Sequence, residues 1–484
     1  MKKDKEKFYI STPIYYINDK PHIGHAYTTV VADIMARYYR LKLGDTQTYF
    51  LTGTDEHGMK VAEAAKKQNL AVQDFCDKVS AQFKTAWGNL DINYNYFIRT
   101  TDLAHEKIVV DILNKLKDKG VLYEADYQGL YCTGCEKFIL ESELIDGLCV
   151  DHKIAPQTLT EKNWFFKLSD FLPQIKKAIE TEELEIYPKS RKNEVLGLID
   201  KQHLPDFSIS RSAKSVSWGI DLPWDKNQKV YVWIDALSNY ITALDYPKGA
   251  DFKKFWPADI QVLGLDILKF HALYWPAILL ALDLPLPKRL AIHGYFTING
   301  QKMSKTIGNV IDPNELVTKF GAEATKYLLV SPFSFGFESD VRQSDFVTKY
   351  NADLVNGLGN LVNRVTNMIE QYLDGIIDKP FASDLPDQVG KSLEQLKLRE
   401  ALLSIWSVVQ TSNEIIDKQQ PWVLYKAGKK EEVKNILQNL ANDLYSIAIA
   451  LEPFLPQTAT KMKQIILAPK VVKPVEPLFK RLNI

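Results

Sequence analysis

The segment Phe8-Tyr9-Ile10-Ser11-Thr12, the loop after it, and then His22-Ile23-Gly24-His25 at the head of a long periodic run decide the fold. Phe8 to Thr12 is aromatic and β-branched and reads as a strand. Pro13, Asn18, Asp19 and Pro21 mark a loop. Ile23 to Leu43 has helical periodicity and stops at Gly44. Thr48 to Thr52 reads as a second strand, followed by a turn at Gly53 and Gly58 and a helix through Gln68. This strand–helix alternation predicts an α/β, Rossmann-type, doubly wound parallel sheet.

His22 and His25 lie three residues apart, so on a helix they share a face. A helix start presents unpaired backbone N–H groups and a positive dipole end, which suit a phosphate. Gly24 lets a flat group such as adenine or ribose approach the backbone. Two imidazoles there can donate to α-phosphate oxygens as negative charge builds. Far downstream, Lys302-Met303-Ser304-Lys305-Thr306 follows the turn signal Asn299-Gly300. Two ammonium groups on flexible stems can hold β- and γ-phosphates and offset the charge of departing pyrophosphate. Alone, the first motif reads as a helix cap and the second as a solvated lysine turn. Taken together, both motifs suit phosphate groups.

Around Gly120 the rhythm changes. Tyr123 to Ile186 holds short polar and aromatic runs and three of the four cysteines, and reads as an inserted domain. Cys132-x-x-Cys135, then residues 136 to 148, then Cys149-x-x-His152 is tetrahedral zinc spacing with both halves supplied. Four protein ligands imply a closed structural site with no water to activate. Cys76 stands apart and reads as a buried structural thiol. The α/β pattern returns near Val230-Tyr231-Val232-Trp233 and again at Asp259 to Leu263, followed by a helix through Leu282. From Phe346 onward the sequence predicts an all-α bundle.

At 484 residues the prior is about three domains. Lys and Arg number 60 and Asp and Glu 60, so any RNA contact must rest on local patches and shape rather than on net charge. Lys2, Lys3, Lys5 and Lys7 run straight into the first strand with no apolar leader segment. The most apolar stretch, Ala272 to Leu282, contains Pro276 and is too short to span a bilayer. The expectation is a cytoplasmic protein with no membrane partner.

The two motifs match the HIGH and KMSKS signatures of class I aminoacyl-tRNA synthetases, with Thr306 where Ser is usual. Thr12-Pro13-Ile14-Tyr15-Tyr16, Gly53-Thr54-Asp55-Glu56-His57-Gly58, Tyr231-Val232-Trp233-Ile234-Asp235-Ala236 and Phe270-His271-Ala272-Leu273-Tyr274-Trp275-Pro276 sharpen the likeness. Over nearly its whole length the chain resembles the methionyl-tRNA synthetases, in a short form without an appended C-terminal tRNA-binding module. The resemblance implies ligation of L-methionine to tRNA(Met) through methionyl-adenylate, by a monomer using ATP with Mg²⁺ and carrying one structural Zn²⁺. It implies catalytic roles for His22, His25, Lys302 and Lys305. ATP would also meet Gly24, Gly264, Asp266, His293, Met303 and Ser304. Methionine would meet Pro13, Ile14, Tyr16, Asp55, Trp233, Ala236, Leu237, Tyr240, Ile267, His271 and Trp275, with Asp55 on the ammonium group. Asn360, Arg364 and Trp422 would read the CAU anticodon, the first two by hydrogen bonds and Trp422 by stacking.

The aromatic walls suit a flexible thioether, and a donor from Tyr16 or His271 near the sulfur would help exclude Leu and Ile. Two departures accompany the likeness. Leu265 stands where the family has Lys in Gly-Lys-Asp, which removes one charge from the ATP site. His152 stands where a fourth Cys is common. The expected division is 1–119 and 229–345 for the two halves of the catalytic domain, 120–228 for the zinc-binding insertion and 346–484 for the anticodon-binding bundle. Two alternatives stay open: a cysteinyl enzyme, and a non-catalytic tRNA-binding paralogue.

Overall fold

The computed structural model describes residues 6–483 apart from 136, 140, 142, 143, 202, 203 and 304–308. In chain order the elements that matter are β1 (Phe8–Tyr16), α1 (Ile23–Leu43), β2 (Thr48–Asp55), α2 (Met59–Lys67), α3 (Val72–Asn89), β3 (Tyr96–Arg99), α4 (Leu103–Asp118), β4 (Glu185–Tyr187), α5 (Val232–Thr242), β5 (Ile260–Gly264), α6 (Trp275–Ala281), β6 (Arg289–His293), α7 (Asn360–Leu373) and α8 (Pro421–Lys426). The chain forms two compact units. One comprises Met1–Lys20, Tyr49–Lys84 and Tyr94–Ile292; the other comprises Pro21–Thr48, Thr85–Asn93 and His293–Ile484.

The first unit is built on a six-stranded sheet of order β3-β2-β1-β5-β6-β4. The pairings β2–β3, β1–β5 and β6–β4 are parallel. Every residue of β2 is buried, as a parallel strand covered on both faces requires. The alternation of strand and helix therefore delivers the doubly wound sheet that the sequence predicts. Gly53 is dictated by its neighbour strand: a Cβ there would stand 2.0 Å from the Ile98 carbonyl oxygen. Both strands run longer than the sequence suggests, β1 to Tyr16 and β2 to Asp55. Thr12 Oγ1 donates to Thr52 Oγ1 at 2.8 Å, and the Ile17 N–H to the Asp55 carbonyl at 3.2 Å, so the pair holds past its apolar core.

The expected insertion is dominated by one long antiparallel pair, Leu122–Cys132 with Gln157–Phe166. At its tip Leu144–Ile145 pairs with Leu148–Cys149 across Asp146-Gly147, both at positive φ, the two-residue turn a tight hairpin favours. Val230 ends a strand (Asp225–Val230) and Val232 starts α5, so Trp233 is helical. The helix predicted before Leu282 forms, as a 3₁₀ turn (Leu265–Ile267) that continues through Leu268 and Lys269 into a π-helical turn (Phe270–Tyr274) and α6. Pro276 lacks an N–H, and it sits in the first turn of α6, where none is needed.

The second unit contains α1, whose bounds Ile23 and Leu43 match the periodicity, with Gly44 ending it at φ 92°. Its Asp33 is buried and pairs with Arg37 at 2.8 Å and with buried Lys326 at 3.4 Å. Asn299 and Gly300, at φ 51° and 75°, turn Phe296–Ile298 into Gln301–Lys302, so Lys302 is in a short strand rather than in the predicted loop. From Gln343 the described residues are mostly helical. One segment, Tyr350–Gly359, is π-helical and leads directly into α7. No helix among the described residues is long and apolar enough to cross a membrane.

Candidate active site

The second unit holds the first motif. His22 is the N-cap of α1, with φ −133° and ψ 173°, and the two histidines close a capping box in place of the usual Ser and Glu. The Gly24 N–H donates to His22 Nδ1 at 3.1 Å, and the His22 N–H to His25 Nδ1 at 3.3 Å. Both Nδ1 atoms are therefore acceptors, and each neutral ring carries its proton on Nε2. The rings stack at 3.7 Å. Desolvation pushes His22 down to about 4, and desolvation together with its partner ring holds His25 well below the usual imidazole range. Two neutral N–H donors at a helix N-terminus suit a phosphate oxygen without requiring a charged site at rest.

A Cβ on Gly24 would come within 2.9 Å of His22 Cε1 and 3.3 Å of Met303 Cε. The hydrogen at Gly24 thus makes room for the His22 ring and for Met303 of the second motif, and the two motifs meet there. His293 is tied to the same helix. Thr28 Oγ1 lies 2.7 Å from its Nε2, its Nδ1 lies 2.9 Å from the Gly294 carbonyl, and burial lowers it to about 4. Ser304 and Lys305 lie outside the described residues.

The first unit holds the residues expected around methionine. Tyr240 Oη lies 2.8 Å from His271 Nε2, and His271 Nδ1 lies 3.0 Å from the Ile267 carbonyl. A carbonyl only accepts, so His271 carries its proton on Nδ1 and accepts from the tyrosine. Burial pushes that imidazole down to about 4. Trp233, half-buried, stacks on Phe270 at 3.7 Å and meets His271 edge-on at 6.3 Å. Trp275 is fully buried and packs on Tyr240 at 5.8 Å. Ala236 and Leu237 are buried on the same helix as Trp233, and Ile14 and Ile267 pack on the same core. Pro13, Ile14 and Tyr16 sit on β1 and Asp55 ends β2. Gly264 closes β5, Asp266 is exposed in the 3₁₀ turn, and Leu265 packs on the core.

Cys132, Cys135, Cys149 and His152 present ligand atoms that all lie within 4.8 Å of one another, a group that could hold a metal ion. Cys135 Sγ is 3.3 Å from Cys149 Sγ and 3.2 Å from His152 Nδ1. A tetrahedron with metal–sulfur bonds of about 2.3 Å has edges of about 3.7 Å, so the donor set is close to closed. Gly134 is required: a Cβ there would stand 2.4 Å from His152 Cγ.

In the helical region, Asn360 and Arg364 lie one turn apart on α7. Arg364 pairs with Asp417 at 2.5 Å. A cavity of about 350 Å³ is lined by Asn356, Gly359, Asn360, Asn363, Pro477 and Phe479, among others. Trp422 is half-buried on α8, which joins α7 through Tyr425 stacked on Tyr372 at 4.5 Å. Sequence reasoning missed the anchors of the loop that follows β2. Glu56 is buried and accepts from Arg99 at 2.8 Å twice, from Thr54 at 2.6 Å and from Thr101 at 2.5 Å. His57 meets Asp235 at 2.7 Å. Glu56, His57 and Asp235 all lie inside quoted segments, but only the fold pairs them.

A Rossmann-type sheet, a histidine-capped helix and a lysine-containing second motif that reaches it define a class I tRNA synthetase. The family model described as tRNA synthetases class I (M) matches residues 8–151 and 139–366. Similar proteins include the methionine–tRNA ligases of Caldanaerobacter subterraneus subsp. tengcongensis, 44% identical, and of Clostridium acetobutylicum, 43% identical; each alignment covers 95% of this chain and 73% of the relative. Among solved structures, Mycobacterium tuberculosis methionyl-tRNA synthetase in complex with methionyl-adenylate superposes with a TM-score of 0.90. It is 32% identical, over 98% of this chain and all of that one. The chain belongs to the methionyl-tRNA synthetase family.

Proposed function

We infer that this protein ligates L-methionine to tRNA(Met) in two steps. The methionine carboxylate attacks the ATP α-phosphorus, giving methionyl-adenylate and pyrophosphate. The terminal ribose hydroxyl of the tRNA then attacks the adenylate and releases AMP. The observation that carries the reading is the histidine capping box, which holds two neutral Nε2–H donors at the start of α1. No protein nucleophile is needed; positioning and electrostatics carry the step. His22 and His25 act on the α-phosphate, and Lys302 and Lys305 on the β- and γ-phosphates. Gly264, Asp266, His293, Met303 and Ser304 form the rest of the ATP site, and Mg²⁺ enters with the nucleotide.

Asp55 receives the substrate ammonium group. Pro13, Ile14, Tyr16, Trp233, Ala236, Leu237, Tyr240, Ile267, His271 and Trp275 enclose the side chain. In support, Tyr240, His271, Trp233 and Ile267 form one interlocked set. Leu265, packed on the core, leaves the nucleotide to be held without a lysine at that position. Cys132, Cys135, Cys149 and His152 hold one Zn²⁺, which cross-links the knuckle and supplies folding energy rather than chemistry. Asn360, Arg364 and Trp422 read the anticodon, as single-stranded loops are read by amide edges and stacking. The four-part division at residues 120, 229 and 346, a monomeric state and a cytoplasmic location complete the reading.

The test is amino-acid-dependent ATP–pyrophosphate exchange without tRNA, across Met, Cys, Leu, Ile and Val. Exchange with Met alone is expected. Exchange with Cys instead would overturn the pocket, and no exchange by a folded, zinc-loaded sample would favour a non-catalytic tRNA-binding role.

A further inference from the structure

On the elements that carry the proposed methionine site lies a buried charged cluster to which the proposed mechanism gives no role. Asp235 is 1% exposed and sits in the first turn of α5. Its Oδ2 is 2.7 Å from His57 Nδ1, and its Oδ1 is 2.7 Å from His105 Nε2. His57 and His105 are 4% and 2% exposed. His105 Nδ1 continues to Thr242 Oγ1 at 2.7 Å, and His57 Nε2 lies 3.6 Å from Glu106. Each carboxylate oxygen thus faces one imidazole N–H. Burial alone would lower His57, but the facing Asp235 outweighs it and raises the imidazole to about 10; Asp235, opposite two imidazoles, is held down at about 2.

The placement of these groups gives the cluster a use. On α5, Trp233, Ala236, Leu237 and Tyr240 form one stripe, the proposed pocket wall. Asp235 and Thr242 are i and i+7 on an adjacent stripe. His105, from α4, bonds both ends of that second stripe and fixes the rotation of α5 about its own axis. His57 lies two residues after Asp55, in the loop that follows β2. On the other side Glu56 locks the same loop to Arg99. The chain immediately after Asp55 is therefore fixed by two clamps, at Glu56 and at His57, and the second reaches the helix that forms the proposed pocket wall.

We propose that Asp235 is a positioning residue for methionine: through His57 and His105 it sets the Asp55 carboxylate and the side-chain wall of α5 at a fixed distance, so that the ammonium and the thioether of one substrate are recognised together. This rests on Asp55 being the ammonium partner, as read above. A buried pair of this strength is conspicuous because replacing it with apolar residues commonly costs little stability, so fold maintenance alone does not account for it.

The experiment uses two competitive inhibitors of methionine-dependent exchange that differ only in the amine: L-methioninol and 4-(methylthio)butan-1-ol. The wild-type chain is compared with Asp55→Asn, Asp235→Asn and His57→Gln. The wild type is expected to bind the amine strongly over its amine-free analogue. Asp235→Asn and His57→Gln should each cut that ratio of inhibition constants by about tenfold or more, because a displacement near 1 Å is enough. Asp235→Asn keeps an oxygen to accept from His105 and His57→Gln leaves that pair intact, so α5 stays in place and the amine-free inhibitor and the ATP KM should change less than about twofold. The Asp55→Asn/Asp235→Asn double variant should lose little more than Asp55→Asn alone.

Equal weakening of both inhibitors would mean that Asp235 only supports packing, and would overturn the proposal. So would a ratio that collapses in Asp55→Asn but survives in both clamp variants. A ratio near one in the wild type, or one unmoved by Asp55→Asn, overturns the ammonium role of Asp55 and this proposal with it. If Asp235→Asn does not fold, His57→Gln carries the same test, since His105 and Asp235 stay paired in it.

Discussion

Replacing Tyr240 with Phe removes one oxygen atom and isolates one interaction. That hydroxyl donates to His271 Nε2 at 2.8 Å, between residues that are 1% and 2% exposed. His271 cannot compensate by moving its proton, because Nδ1–H is committed to the Ile267 carbonyl at 3.0 Å. It cannot ionise to compensate either, since burial holds it near 4. The variant leaves a buried acceptor without its donor, which costs about 1–3 kcal/mol. Part of this appears as lower stability. The rest appears as a mis-set imidazole beside Trp233, on the proposed methionine wall. If about 1.4 kcal/mol falls on binding, the methionine KM rises about tenfold. ATP–pyrophosphate exchange at saturating ATP measures it, with the ATP KM as the internal control. A double-mutant cycle with His271→Ala should give a coupling of about 1 kcal/mol or more in methionine KM. A lower melting temperature with an unchanged methionine KM, or equal changes in both KM values, would refute the argument that this hydrogen bond shapes the amino-acid site.

Four further outcomes are expected. Cys132→Ser should lower metal content and melting temperature together; equal zinc content in the variant would sink the ligand assignment. Gly134→Ala, which places a Cβ 2.4 Å from His152 Cγ, should displace that ligand and weaken zinc retention against a chelator while sparing exchange. Trp422→Ala should leave exchange intact and slow tRNA charging by about tenfold or more, given about 1–3 kcal/mol per stacked base; equal charging would remove it from the anticodon site. Thermal stability should fall at both ends of the pH range. His22 sits near 4 folded against about 6.5 unfolded, so the unfolded chain binds more protons between those values and stability drops as pH falls through them. His57 is raised to about 10, so its contribution is full below about 6.5 and fades as pH rises towards 10. Melting curves from pH 4 to 10 that are flat across both windows would contradict the burial of His22 and the pairing of His57 with Asp235.

What the linear chain determines is local and periodic. The helical period of Ile23 to Leu43 with Gly44 after it sets α1 to the residue, because a periodic apolar face and a positive-φ stop are written in consecutive positions. The Cys132, Cys135, Cys149 and His152 spacing announces the metal cluster, because hairpin turns bring such pairs together without distant help. The two motifs, in their order, carry the likeness to class I synthetases, and the proposed ATP site rests on that likeness. Only the tertiary structure decides who answers a buried polar group. His57, His105 and Asp235 come from three elements separated by most of the first unit, and no spacing rule connects them. Tyr240 and His271 come from two separate helical segments, and the π-helical turn that carries His271 is not written in the apolar run that predicts a helix there. Lys302 lies in a strand because Asn299-Gly300 turns back onto Phe296–Ile298, whose other edge is held by the distant Ser339–Val341. Backbone periodicity is a short-range property and survives in one dimension; the pairing of buried charges and hydrogen bonds is a long-range one and does not.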